Sequence, residues 1–329
     1  MTRSASAGRL RHRVGQAIAD RQLWRPGDRV AVAVSGGLDS VACLDLLLET
    51  QAWHSGVLSV VTVDHGTRPE SGSDAAFVRE LAAAKGLSCV CAEVQLQTES
   101  EEALRDARYR IFEGLDAEFV CLGHHRDDQA ETVLLQLLRG AGSRGLGGMR
   151  WKRGRYVRPL LDITRSEIRR WAEHRALQWR EDVSNADAKY LRNRVRAEVL
   201  PLLEQLRPGA GAALARSATN LAADDAWLRS LGERQPPWPL RWIQSAPDAQ
   251  VRRSLASVLK TAARVDAALK IAGLGTGSLN LGREGRLEVS KRWTQRTCPH
   301  CRPGQQQGRK YWCAPAAYRD GEAARRDLI

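Results

Sequence analysis

Ser35-Gly36-Gly37-Leu38-Asp39-Ser40 carries the strongest chemical signal in this chain. The apolar run Ala31-Val32-Ala33-Val34 leads into it, and a helix-compatible stretch begins at about Leu38. Adjacent glycines let the main chain turn sharply and approach an anion without side-chain interference. N–H groups at the start of the following helix face such an anion, and the helix dipole favours negative charge there. Ser35 and Ser40 add hydroxyl donors. No Gly-Lys-Ser/Thr follows, so the lysine of a Walker loop is missing, and the pattern is not the Gly-x-Gly-x-x-Gly of dinucleotide folds. Asp39 is the unusual member, because a carboxylate beside a polyphosphate is repelled unless a divalent cation such as Mg2+ lies between them.

A second chemical stretch is Gly123-His124-His125-Arg126-Asp127-Asp128-Gln129-Ala130-Glu131-Thr132. On a helix Asp127 and Glu131 are four apart and share a face, as do His124 and Asp128. Hard oxygen ligands on one face suit Mg2+, with Asp39 and Asp128 as the candidate ligands, and a nearby histidine or carboxylate could take a proton from an incoming amine. The plainer reading is that these acids only complement a helix N-terminus. Leu134, Leu135, Leu137 and Leu138 read as ordinary core.

Both stretches need a scaffold that brings them together. Four apolar runs, Val30–Val34, Val57–Val63, Ser88–Val94 and Glu118–Leu122, recur at intervals of roughly 30 residues, and helix-compatible segments follow the first three. This is the rhythm of βαβ units and of a parallel sheet buried on both faces, which binds ligands beyond the carboxyl ends of its strands. The two chemical stretches follow the first and fourth runs and should open at the same sheet edge. Further along, Ile163–Trp179 reads as an amphipathic helix, and Leu191–Leu206 as mostly helical with Pro201 dividing or kinking it. Pro208-Gly209-Ala210-Gly211 reads as a joint, Ala212–Leu231 as a helix and Gln235–Pro239 as a rigid connector. Ser278–Leu281 and Arg286–Val289 flank a turn and predict a hairpin. The expected division is a catalytic domain over 1–210, an accessory domain over 211–293 and a cysteine-containing tail over 294–329.

The chain of 329 residues carries a formal charge of +13. Between Arg139 and Arg216 it has 18 Lys/Arg against 8 Asp/Glu, a concentration that favours a polyanionic partner through counterion release. No run of about 18 apolar residues predicts a membrane span. The Arg-rich start lacks the apolar segment of a secretory signal, which points to the cytoplasm, although its acid-poor, amphipathic pattern also fits an organelle transit segment. Seven cysteines in such a chain argue against a disulfide framework. Cys43, Cys89, Cys91 and Cys121 lie in apolar runs and read as small core residues.

Ser35–Ser40 resembles the nucleotide loop of the PP-loop ATP pyrophosphatases. Several blocks narrow the resemblance to the tRNA(Ile)-lysidine synthetase family: Val63-Asp64-His65-Gly66, Ala107-Arg108-Tyr109-Arg110, Gly123–Thr132, Leu137–Gly142 continuing to Gly145–Met149, Arg158-Pro159-Leu160-Leu161, Asp182-Val183-Ser184-Asn185 and Tyr190–Arg196 with Leu200-Pro201. The match runs in order over roughly residues 28–208. It implies an α/β fold, a Rossmann-like parallel-sheet PP-loop domain followed by a smaller, largely helical domain. The implied reaction adenylates the wobble cytidine of a tRNA(Ile) with a CAU anticodon. Free lysine then attacks carbon 2 and AMP leaves. ATP and Mg2+ are the implied substrate and cofactor. The implied ATP-binding residues are Ser35, Gly36, Gly37, Leu38, Asp39 and Ser40, and the implied catalytic residues are Asp39, His125, Asp127, Asp128 and Glu131. Arg139, Arg192, Asn193 and Arg196 match later family positions expected to contact phosphate or tRNA. Ion pairing of those arginines with Glu198 or Asp187 is the plainer alternative.

The likeness thins beyond about residue 210. Lys291-Arg292 are expected phosphate contacts, and Trp293 and Trp312 lie in basic context where stacking on bases or burial would both fit. Cys298-Pro299-His300-Cys301 with Cys313 lacks the second C-x-x-C of a zinc site and reads as incidental. The rival enzymatic reading is a tRNA thiolase on the same loop, which needs a reactive cysteine or an iron–sulfur cluster near the nucleotide. A third reading is a non-catalytic RNA-binding protein on the same fold.

Overall fold

The computed structural model describes residues 3–64, 71–94, 101–180, 191–230, 240–259, 262–274, 277–280, 286–289 and 312–313. The chain divides into two compact units, 1–225 and 226–329. In the first, α1 (Arg3–Asp20) precedes β1 (Arg29–Ala33), α2 (Leu38–Glu49), α3 (Gln51–His54) and β2 (Val57–Asp64). Then come α4 (Ser71–Ala84), β3 (Cys89–Glu93), α5 (Glu101–Glu113), β4 (Phe119–Leu122), α6 (Arg126–Leu138), α7 (Ser143–Leu146), β5 (Lys152–Arg153), β6 (Tyr156–Val157) and α8 (Arg165–His174). The strands lie in the order β3-β2-β1-β4-β6-β5, parallel throughout except for the β5–β6 pair.

Alternation along each strand supplies two cores. Val30, Val32, Val34, Leu58, Val60, Cys121 and Val157 point to one face, where α1, α2 and α8 cover them with Leu10, Val14, Ile18, Leu44, Leu47, Ile168 and Trp171. Ala31, Val61, Val120, Leu122 and Tyr156 point to the other, against Phe112 of α5. Burial of both faces is what a parallel sheet requires. Leu10, Val14 and Ile18, four apart, make α1 a packed helix of this core. α8 starts with a capping box, in which Thr164 Oγ1 accepts from the Glu167 N–H at 3.1 Å and Glu167 accepts from the Thr164 N–H at 2.9 Å.

Cys43 and Cys121 are fully buried, as expected, but Cys89 is only half-buried and Cys91 is exposed. The expectation of four core cysteines fails for the β3 pair because β3 is the edge strand of the sheet.

Leu191–Leu206 is helical from end to end, as α9 (Leu191–Arg194), a π-helical stretch Val195–Val199 and α10 (Leu200–Leu206). Pro201 stands in the first turn of α10, where its missing N–H is tolerated, and the wide π turn precedes it. Next comes α11 (Ala210–Ser230), within which the two units divide.

The described residues of the second unit are largely helical: α12 (Leu240–Ser245), α13 (Asp248–Leu259) and α14 (Ala262–Leu274) enclose Ile243, Val251, Leu255, Leu259, Val265 and Ala268. β7 (Gly277–Asn280) pairs antiparallel with β8 (Arg286–Val289), as the hairpin pattern predicts, and β9 (Trp312–Cys313) adds to β8. Gln235–Pro239, Asp182–Asn185, Lys291-Arg292, Trp293, Cys298 and Cys301 lie outside the described residues. Among the described residues no helix is long and apolar enough to cross a membrane.

Candidate active site

Strand order reverses between β1 and β4, since the chain leaves β1 toward β2 and returns on its other side at β4. A crevice opens at such a switch point, beyond the carboxyl ends of the strands. The turn after β1 and the turn after β4 meet there. A Cβ added to Gly123 would stand 3.1 Å from the Asp39 carbonyl oxygen and 3.3 Å from Ser40 Cα, so the two backbones meet with only a few tenths of an ångström lacking for a side chain.

The loop after β1 is held by its own hydroxyls. The Ser35 N–H donates to Ser40 Oγ at 3.1 Å, and Ser40 Oγ donates to the Gly37 carbonyl at 2.9 Å. Gly36 has φ +85°, a left-handed conformation that strains residues with a Cβ. From outside the loop, the Arg180 N–H donates to the Gly36 carbonyl at 2.9 Å. Gly37 caps α2 without a side-chain acceptor, leaving the first-turn N–H groups free of side-chain caps and suited to an anion.

The turn after β4 enters α6 with His125 as N-cap. The Asp128 N–H donates to His125 Nδ1 at 3.3 Å, and the His125 N–H donates to Asp128 Oδ2 at 3.0 Å. This reciprocal cap leaves the imidazole proton on Nε2, which lies 3.5 Å from both Asp39 Oδ2 and Asp128 Oδ2. Burial opposes charging of His125, but the hydrogen bond to Asp39 and the charges of Asp128, Asp39 and Asp127 outweigh it and raise its pKa above 6.5. Burial also resists the Asp128 carboxylate, yet His125, His124 and Arg192 hold its pKa below 3.8. Asp127, half-exposed, accepts from the Arg165 N–H at 2.7 Å, and the same Oδ2 lies 3.7 Å from His125 Nδ1.

Asp128 and Glu131 are buried, and each meets two guanidinium groups. Arg192 Nε donates to Glu131 Oε2 at 2.8 Å, and Arg196 Nε donates to Glu131 Oε1 at 2.5 Å. Both arginines also reach Asp128 Oδ1, at 3.3 and 3.1 Å. Four residues apart across α9 and the π turn, Arg192 and Arg196 present one basic face to α6. Arg194, on another face, pairs with Glu198. Of the two partners in the plainer expectation, Glu198 pairs with Arg194, and Asp187 lies outside the described residues.

Of the other expected residues, Asn193 is half-buried on α9. Arg139 is exposed at the far end of α6, about 20 Å along the axis from His125 at 1.5 Å per residue. The structure thus gathers Ser35–Ser40, His125, Asp127, Asp128, Glu131, Arg192 and Arg196, and leaves Arg139 apart.

His124 and Arg158 join the cluster without having been singled out. Arg158 Nε donates to His124 Nδ1 at 3.2 Å. Burial, with Arg158, Arg192 and His125 against the opposing pull of Asp128, pushes the His124 pKa down to about 3, so this imidazole is neutral. The i,i+4 relation of His124 to Asp128 was its only sequence signal. Arg158 had none beyond its place in Arg158-Pro159-Leu160-Leu161.

A divalent cation fits Asp39 better than Asp128. Asp39 Oδ1 is a buried oxygen with no hydrogen-bond partner. Both Asp128 oxygens already face cations or N–H groups. Among the described residues no three His, Cys, Asp or Glu are grouped to hold a metal ion, so phosphate oxygens and water would complete the shell of Mg2+, as this ion favours.

Residues 8–203 match the family model of the PP-loop domain. The tRNA(Ile)-lysidine synthase of Geobacter sulfurreducens is 42% identical over 229 residues, 65% of this chain and 48% of that protein. That of Deinococcus radiodurans is 37% identical over 284 residues, 82% of this chain and 47% of that protein. That of Synechococcus sp. is 37% identical over 232 residues, 68% of this chain and 71% of that protein. The chain spans about half the length of the first two of these relatives. Among solved structures, the U34-tRNA thiolase NcsA of Methanococcus maripaludis with its [4Fe-4S] cluster superposes with a TM-score of 0.55 at 20% identity, covering 68% of this chain and 80% of that one, a likeness of fold. On the strength of its PP-loop match and of the Synechococcus relative, the chain belongs to the tRNA(Ile)-lysidine synthase family.

Proposed function

We propose that this chain is an ATP-dependent ligase that joins lysine to carbon 2 of the wobble cytidine in a tRNA(Ile) with a CAU anticodon, releasing AMP and pyrophosphate in the cytoplasm. The observation that carries this reading is the contact of Gly123 with Asp39 and Ser40, which brings the turn after β1 and the carboxylate cluster side by side, within reach of a single ligand.

The cytosine carbonyl oxygen is a poor leaving group, and its conversion to an AMP ester makes its departure feasible. In this reading the N–H groups of Leu38, Asp39 and Ser40 hold the phosphates, with the hydroxyls of Ser35 and Ser40 beside them. Mg2+, held by Asp39 and the phosphates, would neutralise charge as pyrophosphate departs. Lysine must attack as the neutral amine, and the His125–Asp39 pair, its imidazole N–H turned to the carboxylate, is placed to take up that proton. Arg192 and Arg196 fix Asp128 and Glu131 and lend positive charge to the crevice, while Arg139 and Asn193 are assigned to the tRNA. The Lys/Arg surplus between 139 and 216 supports the RNA partner. The second unit is assigned to grip the body of the tRNA.

The thiolase reading needs a reactive thiol beside the nucleotide. Cys121 is the cysteine nearest the acidic stretch in sequence, but it is fully buried, its Sγ 3.8 Å from Cys43 Sγ. Burial raises its pKa well above the thiol value, which suits an inert core residue. The deciding experiment incubates the protein with ATP, Mg2+, lysine and tRNA(Ile) with a CAU anticodon, followed by mass spectrometry of the anticodon fragment. A lysine adduct is expected. AMP formation on tRNA that is indifferent to lysine would sink the proposal.

A further inference from the structure

Cys89 and Cys91 are two apart on β3, so their side chains share the face that carries Val60 and Thr62 on the neighbouring strand. Their sulfurs are 3.7 Å apart. Cys91 is exposed and Cys89 half-buried. Arg79, on α4, hydrogen-bonds the Cys91 sulfur and feels the charge of both thiols. Burial, and then the bond to Cys91 and its charge, push the Cys89 thiol up to about 12. Cys89 is thereby held as the neutral thiol, and Cys91 is the exposed sulfur beside the guanidinium.

The Cys43–Cys121 pair is an internal control. Its sulfurs are 3.8 Å apart, yet both residues are fully buried. Two thiol pairs of nearly equal spacing thus differ in access from solvent, and in place, one lying within a strand and the other between α2 and β4.

We propose that Cys89 and Cys91 form a surface dithiol that hydroperoxides oxidise to a disulfide within β3, a modification site separate from the nucleotide crevice. The Cys91 thiolate attacks a peroxide oxygen; the S–O bond forms, the O–O bond breaks, and the departing hydroxide takes up a proton as water. The Cys89 sulfur then attacks the Cys91 sulfenic acid; the S–S bond forms, the S–O bond breaks, and the hydroxyl leaves as water with the Cys89 proton. Two thiols and one hydrogen peroxide become one disulfide and two waters, the sulfur pair losing the two electrons that the peroxide gains. Closing 3.7 Å to a bond of about 2.05 Å requires rotation of both side chains and a local shortening of β3, since strand residues two apart lie about 6.6 Å apart and a disulfide prefers about 5.5–6 Å between Cα atoms. An edge strand, hydrogen-bonded to β2 alone, can twist to allow it. Disulfide formation takes away the thiol that faces Arg79. The residues just before Arg79, Phe77 and Val78, lie 3.5 and 3.6 Å from the position of a Cβ on Gly36, so the modification sits one residue along α4 from the underside of the phosphate loop.

The test treats the folded full-length chain with hydrogen peroxide, unfolds it in iodoacetamide and maps tryptic peptides by mass spectrometry. Residues 86–105 form one tryptic peptide that contains Cys89, Cys91 and no other cysteine. This peptide should become lighter by two hydrogen atoms and escape alkylation, and dithiothreitol should restore it. Cys43 and Cys121 should be alkylated throughout. Cys91→Ser should abolish the reaction, and Cys89→Ser should halt it at a sulfenic acid on Cys91 that dimedone traps. Arg79→Gln should slow oxidation severalfold and Arg79→Lys should restore most of the rate. The proposal is overturned if both cysteines stay alkylatable, if Cys43–Cys121 oxidises equally fast, or if Cys89 or Cys91 bonds instead to Cys298, Cys301 or Cys313.

Discussion

Gly123 and Asp39 meet backbone to backbone: a Cβ on the glycine would stand 3.1 Å from the aspartate carbonyl oxygen. Through that contact β4 delivers the N-cap of α6 against the first turn of α2, and the histidine–carboxylate cluster inherits its position from it.

Gly123→Ala should therefore act on geometry more than on stability. The neighbouring atoms are backbone at 3.1 and 3.3 Å, which must give by a few tenths of an ångström, at a cost of about 1–3 kcal/mol. A displacement of that size between reacting groups costs far more in rate, on the order of 100-fold. Urea denaturation and tRNA-dependent pyrophosphate release measure the two effects separately. A variant that loses stability but keeps its rate would show that the contact does not align the site.

The sheet was legible because each strand is an apolar run, and β1, β2 and β4 are covered on both faces. Val30–Val34, Val57–Val63, Ser88–Val94 and Glu118–Leu122 differ from β1 to β4 by one or two residues at their ends. Which strand lies at the edge is not written in such runs, and so the exposure of Cys91 was missed. The meeting of loop and acidic helix followed from both standing after strands of one parallel sheet. The partners of Arg192 and Arg196 did not follow, since Asp128 and Glu131 lie more than 60 residues away and spacing shows only that the two arginines share a face. Arg139 looked equivalent to them in sequence, and only the length of α6 separates it from the crevice.

Glu131→Gln tests the arginine clamp. Glu131 is 1% exposed and accepts from both guanidiniums, so loss of its charge leaves positive groups facing one another. Breaking a fully buried pair costs about 3–5 kcal/mol; Arg192 and Arg196 retain some solvent, which reduces the expectation to about 2–3 kcal/mol. A double-mutant cycle with Arg196→Gln should give a coupling above about 1 kcal/mol. Additive losses would mean that the contact contributes little.

Stability should depend on pH through His125 and Asp128 in opposite senses. The folded protein raises His125 above 6.5, so its contribution is complete below 6.5 and disappears as pH climbs through the raised value. Asp128 is depressed below 3.8, so its contribution is present above 3.8 and is lost as pH falls through the lower value. His125→Asn keeps an effective N-cap but removes the titration. Melting temperatures from pH 5 upward should fall more steeply in the parent than in this variant. Parallel curves would exclude a charged His125.

Asp39→Asn separates chemistry from binding. The carboxylate lies in the first turn of α2, with Oδ2 3.5 Å from His125 Nε2 and Oδ1 buried without a partner. Oδ1, an unmatched buried oxygen, stabilises nothing, but Oδ2 supports a charged His125 and faces Arg165 Nε at 3.8 Å, so the neutral amide should melt at the parent temperature or slightly below it. Removal of a negative charge cannot weaken attraction to a polyanion, so tRNA binding should be unchanged or a little tighter. Pyrophosphate release should nonetheless fall on the order of 100-fold, the usual effect of losing one electrostatic partner of a transition state. The Mg2+ concentration needed for half-maximal rate should also rise, since one oxygen of the cation's shell is gone. Undiminished turnover at the parent Mg2+ midpoint would remove Asp39 from the reaction and return it to an ordinary role at a helix start.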